Sequence, residues 1–167
     1  KKLKRSGRTG CEWRKDRYRC CSAGKILPFM SELNDLYLKW SGAQPANVEK
    51  IPGAGSNRAY YRMTDNKGET VIGVIGTSRD EDHAFVYLAN HFVTSRIPVP
   101  KVLAVSADEL CYLQTDLGDV SLFSAIRGGR DAGGRYNQHE KQLLINTIRE
   151  LPNIQIRGAH GLDWSNC

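Results

Sequence analysis

Gly53-Ala54-Gly55-Ser56-Asn57-Arg58 is the segment of this chain whose residue types best suit phosphate chemistry. Glycine carries no Cβ, so the backbone N–H groups of such a loop approach phosphate oxygens closely. The residues after the loop restrict its class. A Walker-type loop ends in Gly-Lys-Ser/Thr and opens a helix, and a dinucleotide fingerprint also runs from strand into helix. Here Ala59-Tyr60-Tyr61-Arg62-Met63-Thr64 contains adjacent aromatics, Asp65-Asn66-Lys67-Gly68 is a turn cluster, and Thr70-Val71-Ile72-Gly73-Val74-Ile75 is β-branched and apolar. That pattern predicts a hairpin, and with a strand over 47–52 the loop joins two antiparallel strands. The same glycines also suit an ordinary hairpin turn.

The elements that must hold this loop read in order. Ser31 caps a predicted helix through Trp40, with Leu33, Leu36, Tyr37 and Trp40 on one face. Strands are expected over 47–52, 58–64 and 69–75, then an amphipathic helix from Arg79 to Thr94. Ala84, Phe85, Leu88, Ala89 and Phe92 form its inward stripe, and Asp80-Glu81-Asp82 suits its positive N-terminus. Two further strands come next, over 101–105 and 110–114. A short helix over 121–127, a flexible glycine-rich loop over 128–134, and a helix from Asn137 to Leu151 complete the order. Asn137 and Glu140 have capping-box spacing, and Pro152 is expected to stop that last helix.

The net charge of +6 over 167 residues is unevenly placed. Residues 1–25 hold ten Lys or Arg against Glu12 and Asp16, so that segment carries +8 and the rest −2. The segment lacks strand or helix periodicity and the apolar core of a signal peptide. A basic arm for nucleic acid or anionic lipid is one reading of it. The other, favoured because the chain starts at Lys1 and Met30 directly precedes a helix start, treats residues 1–29 as a disordered or non-native extension. The five cysteines include the adjacent pair Cys20-Cys21, whose spacing suits neither a zinc site nor a disulfide framework. Cys111 lies in an apolar strand, as a buried inert thiol does. A reducing cytoplasm is the expected setting, and no apolar run reaches the ~20 residues needed to span a bilayer.

Three motifs, in order, carry a resemblance: Gly55-Ser56-Asn57-Arg58-Ala59-Tyr60-Tyr61-Arg62, then Val99-Pro100-Lys101-Val102-Leu103-Ala104, then Leu113-Gln114-Thr115-Asp116-Leu117-Gly118-Asp119. Across about residues 31–165 the chain resembles the aminoglycoside phosphotransferase or choline-kinase-like family, and within it looks most like bacterial kinases of cell-wall amino sugars. The resemblance implies an α+β, protein-kinase-like N-lobe over residues 30–115: a five-stranded antiparallel sheet with one inserted helix. A hinge and the first helices of a truncated C-lobe would occupy 116–167. It implies transfer of a phosphoryl group from ATP with Mg2+ to a small-molecule hydroxyl. Gly53, Gly55, Ser56, Asn57 and Arg58 would then lie over the phosphates, and Glu81 would be the acidic residue of the helix facing the site. Gln114, Thr115 and Asp116 would form the hinge, where backbone groups recognise adenine.

Two features depart from the family pattern. The third strand supplies no lysine for the phosphates, which leaves Arg58 and Arg62 as substitutes or as partners of neighbouring carboxylates. The catalytic loop is also missing. His160-Gly161-Leu162-Asp163-Trp164-Ser165-Asn166 places Asp three after His and Asn three after Asp, where the family's loop has two and five. No catalytic residue or metal ligand is therefore assigned, and the chain is expected to be an inactive N-terminal fragment of an enzyme. The alternatives are a non-catalytic nucleotide-sensing or interaction module and a nucleic-acid binder acting through the basic N-terminus.

Overall fold

Short apolar strands, β-branched in β3 (Thr70–Ile75) and aromatic in β2 (Ala59–Thr64), build the centre of the molecule. The computed structural model describes residues 23–52 and 55–166. Its five strands are β1 (Asn47–Ile51), β2 (Ala59–Thr64), β3 (Thr70–Ile75), β4 (Val102–Val105) and β5 (Cys111–Thr115). They form one antiparallel sheet in the order β1-β2-β3-β5-β4. The expected α+β arrangement, five antiparallel strands with one helix inserted after the third, is what the chain adopts. The turn after β2 also forms as its residues predict: Asp65 Oδ1 accepts from the Lys67 and Glu69 N–H groups, both at 2.8 Å, and Gly68 takes φ +88°.

Side chains alternate across the sheet, so each face has its own cover. On one face Tyr61, Met63, Ile75, Cys111 and Leu113 pack against Leu33, Leu36 and Tyr37 of helix α1 (Ala23–Ser41). Burial pushes the Cys111 thiol up to about 12, as suits an inert core group. Gly73 lets this helix approach: a Cβ there would lie 2.8 Å from Met63 Sδ and 2.9 Å from Leu33 Cδ2. On the other face Ile72, Val74 and Tyr112 meet Phe85 and Val86 of α2 (Arg79–Thr94). The β1–β2 end of this second face carries Ile51 and Tyr60.

Several boundaries differ from the sequence reading. Helix α1 begins at Ala23, so Ser31 lies inside it rather than at its cap, and Trp40 is exposed on its edge. The reading of residues 1–29 as an extension falls outside the described residues for 1–22. Ser121 caps the short α3 (Leu122–Ala125); of the glycines expected to be a loop, Gly128 and Gly129 lie in α4 (Arg127–Asp131), whereas Gly133 and Gly134 follow it at positive φ. The buried Glu140 carboxylate explains this: it accepts from Gly129 N–H at 2.8 Å and from Asn137 N–H at 2.9 Å, fastening α4 to the start of the next helix, α5 (Gln138–Pro152).

Helix α5 (Gln138–Pro152) opens with the expected capping box. Pro152 does not end the helical path. The α-helix ends there, and the path continues as a π-helical turn over Asn153–Arg157, closed by Gly158 N–H donating to Asn153 O at 3.0 Å. Among the described residues no helix is long and apolar enough to cross a membrane.

Gly73→Ala is expected to lower stability by about 1–3 kcal/mol, the range for an added core methyl that forces neighbours aside. The check is the urea midpoint of unfolding, compared with Gly68→Ala, where the space is open and the strain is confined to φ.

Candidate functional site

The described part of the glycine loop is held by its own side chains. Gly55 takes φ +85°, and Ser56 Oγ accepts from Arg58 N–H at 3.1 Å, which turns the chain into β2. Gly55, Ser56 and Asn57 are exposed, as residues facing a ligand must be; Gly53 lies outside the described residues. The loop's flanking positions, Ile51 and Tyr60, are register partners, so the hairpin closes directly beneath it.

Arg58 leaves the loop toward α2. Its Nε donates to Asp82 Oδ1 at 2.7 Å, Nη2 donates to the Glu81 carbonyl at 2.9 Å, and the guanidinium stands 5.2 Å from the centre of the Phe85 ring. Phe85 stacks on Tyr112 with ring centroids 5.1 Å apart. Asp82 is 1% exposed, and burial pushes its carboxyl above the ordinary range, with the Arg58 hydrogen bond pulling against that shift. Its Oδ2 and the Tyr112 hydroxyl are buried without hydrogen-bond partners among the described residues. Gly76 accommodates that carboxylate, since a Cβ there would overlap Asp82 Oδ2.

Glu81, expected to be the acidic residue facing the site, has an exposed side chain and contributes only its carbonyl to Arg58. Asp82 takes the buried position instead. Spacing alone does not select it: Glu81 lies three, four and seven residues before Ala84, Phe85 and Leu88 of the apolar stripe, while Asp82 lies three, four and seven before Phe85, Val86 and Ala89. What distinguishes Asp82 is tertiary: the Arg58 guanidinium and the space beside Gly76 receive its carboxylate, contacts that helical spacing does not encode.

At the other end of β2, Arg62 is tied to the segment after β5. Its Nε and Nη2 donate to the two oxygens of Asp116, at 2.6 and 3.2 Å, and Nη1 pairs with Asp119 at 2.7 Å. The Arg62 hydrogen bond holds the Asp116 carboxyl below the usual range, and Asp116 Oδ1 also accepts from Gly118 N–H at 2.8 Å. Thr115 is tied on both sides of its Cα: its N–H donates to Lys101 O and its hydroxyl accepts from Lys101 N–H, each at 3.0 Å.

Gln114, Thr115 and Asp116 are thus brought together, and they line one cavity of about 290 Å³ with Ile51, Tyr60 and Ile72. Apolar walls with a few polar groups suit a flat heterocycle. Arg58 and Arg62 are both ion-paired, and the third-strand position between Tyr60 and Tyr112 is the buried Val74.

The 160–166 segment is a self-bonded turn. Asp163 Oδ1 accepts from Ser165 N–H at 3.0 Å and from its hydroxyl at 2.7 Å, and Oδ2 accepts from Asn166 Nδ2 at 3.1 Å. Among the described residues no group of three or more His, Cys, Asp or Glu side chains is placed to hold a metal ion. Compared with protein-family models and with curated proteins, the chain matches none.

Removing one partner of the Arg58–Asp82 pair leaves the other charge buried, so Asp82→Ala is expected to cost about 2–4 kcal/mol, below the top of the range because Arg58 is partly exposed. Chemical denaturation of the single variants and of Arg58→Leu/Asp82→Leu together checks it; the double variant should be more stable than the sum of the singles. Asp116 adds a pH dependence. Its depressed folded value makes its contribution present above the unfolded value of about 3.9 and lost as pH falls through the folded one. Between pH 5 and 3, Asp116→Asn should therefore lose less stability than the wild-type chain, measured by urea midpoints.

Proposed function

We propose that residues 30–167 are the nucleotide-binding part of an ATP-dependent phosphotransferase that acts on the hydroxyl of a small molecule such as an amino sugar or aminoglycoside. The observation that carries this is the placement of two features on one sheet face. The glycine loop with Arg58 stands at one end of β2, and the cavity lined by Gln114, Thr115 and Asp116 begins at the other, beside Arg62. Arg58 and Arg62 are four residues apart, or ~13 Å along a strand, a span on the scale of a nucleoside triphosphate laid out from base to terminal phosphate.

In this reading the cavity takes the base and the loop covers the phosphates. Arg58 supplies the cation that the third strand lacks, since Val74 is apolar and buried. A guanidinium has five N–H donors, more than Asp82 and Glu81 take up, and the remaining ones suit phosphate oxygens. Asp82 and the Phe85 ring keep the guanidinium in place before the ligand arrives. Magnesium, when bound to the nucleotide, neutralises phosphate charge; no ligand for it and no catalytic base is assigned among the described residues. The enzymatic step itself therefore rests on the resemblance of the three sequence motifs.

Titration calorimetry with ATP and with adenosine tests the proposal. The chain is expected to bind both, with Arg58→Gln weakening ATP at least tenfold while adenosine changes less than threefold, because one charged hydrogen bond to phosphate is lost. Absence of ATP binding at millimolar concentration, with the fold intact by circular dichroism, would overturn it.

A further inference from the structure

Gln114 lines the cavity with a polar side chain that makes no side-chain hydrogen bond among the described residues. Arg62, Asp116 and Asp119 are committed to one another, and the Thr115 hydroxyl is taken by Lys101 N–H. Gln114 belongs to a strand flanked on both sides, opposite Ile72 of β3 and Val102 of β4, so its backbone serves the sheet and its side chain is what remains for a ligand. Its Oε1 is buried and has no hydrogen-bond partner among the described residues. An unpaired buried amide oxygen is uncommon in a folded protein and calls for a partner that the chain alone does not provide.

We infer that the Gln114 side chain reads the 6-position of the purine bound in this cavity, and that rotation of its amide lets it accept either a 6-amino or a 6-oxo base. The inference rests on the nucleotide reading above and goes beyond it, since backbone contacts at the hinge would leave side-chain identity without effect. The chemistry is that of the carboxamide: its C=O accepts from an exocyclic amine, and a half-turn about the terminal bond presents NH2 to a carbonyl. Ile51 and Ile72 flank the site with apolar surface, so a mismatched hydrogen bond there is not rescued readily by water.

Calorimetry with ATP and with inosine triphosphate, which carries a carbonyl at the 6-position, provides the test. The wild-type chain should bind the two within about threefold of each other. Gln114→Glu offers acceptors alone, so it should retain ATP and weaken inosine triphosphate at least tenfold. Gln114→Met, close in size and without hydrogen-bonding capacity, should weaken both by similar factors. An ATP-to-inosine-triphosphate ratio unmoved by Gln114→Glu, or unaltered affinity for both in Gln114→Met, would overturn this inference while leaving the nucleotide proposal standing. Failure of the wild-type chain to bind either triphosphate would overturn both.

Discussion

The Arg58–Asp82 pair is the interaction on which the arrangement around the glycine loop depends. It spans from the first turn of α2 to the entry of β2, and the elements near it are shaped to admit it. Gly76 gives up a side chain so that the Asp82 carboxylate can lie against the backbone. Phe85 stacks on Tyr112 beneath the Arg58 guanidinium, and both rings pack in the cluster that holds Val74. An ion pair in such surroundings is a poor source of stability compared with apolar packing. Its value lies in holding a guanidinium at the end of a loop that would otherwise swing freely.

The two faces of the sheet divide the work. Helix α1 seals one with Leu33, Leu36 and Tyr37, and Gly73 sets how near it comes. That cover frees the other face to carry polar residues, because the strands no longer need both sides for burial. Arg58, Arg62 and Gln114 are tolerated there for this reason. The Arg62 network and the Arg58 pair then lie at opposite ends of β2, with Tyr60 between them.

Much of this is legible in the sequence, and the parts that are not share a physical cause. The aromatics of 59–64 and the β-branched apolar run of 70–75 mark the hairpin, the Asp65 turn fixes its register, and Asn137 with Glu140 announces α5. Those signals are local. The features that escape are tertiary: α4 forms across Gly128 and Gly129 because the Glu140 carboxylate reaches back to receive a backbone N–H, a contact that helical periodicity does not encode. The start of α1 and the passage of helix through Pro152 escape because cap and breaker signals are weak against continued helical geometry. Helical spacing fits both Glu81 and Asp82 to the apolar stripe of α2, and Asp82 takes the buried place because Arg58 and the space beside Gly76 receive its carboxylate. That the Gln114 amide oxygen is left unpaired among the described residues can be learned only from what surrounds it.

Arg62 holds Asp116 and Asp119 against the same strand, so the residues between them, with Gly118 at φ +83°, form a short loop pinned at both ends. A pinned loop moves with the sheet. The part of the cavity wall formed by Asp116 to Asp119 is therefore built as an extension of β2 and β5 rather than of the helices that follow.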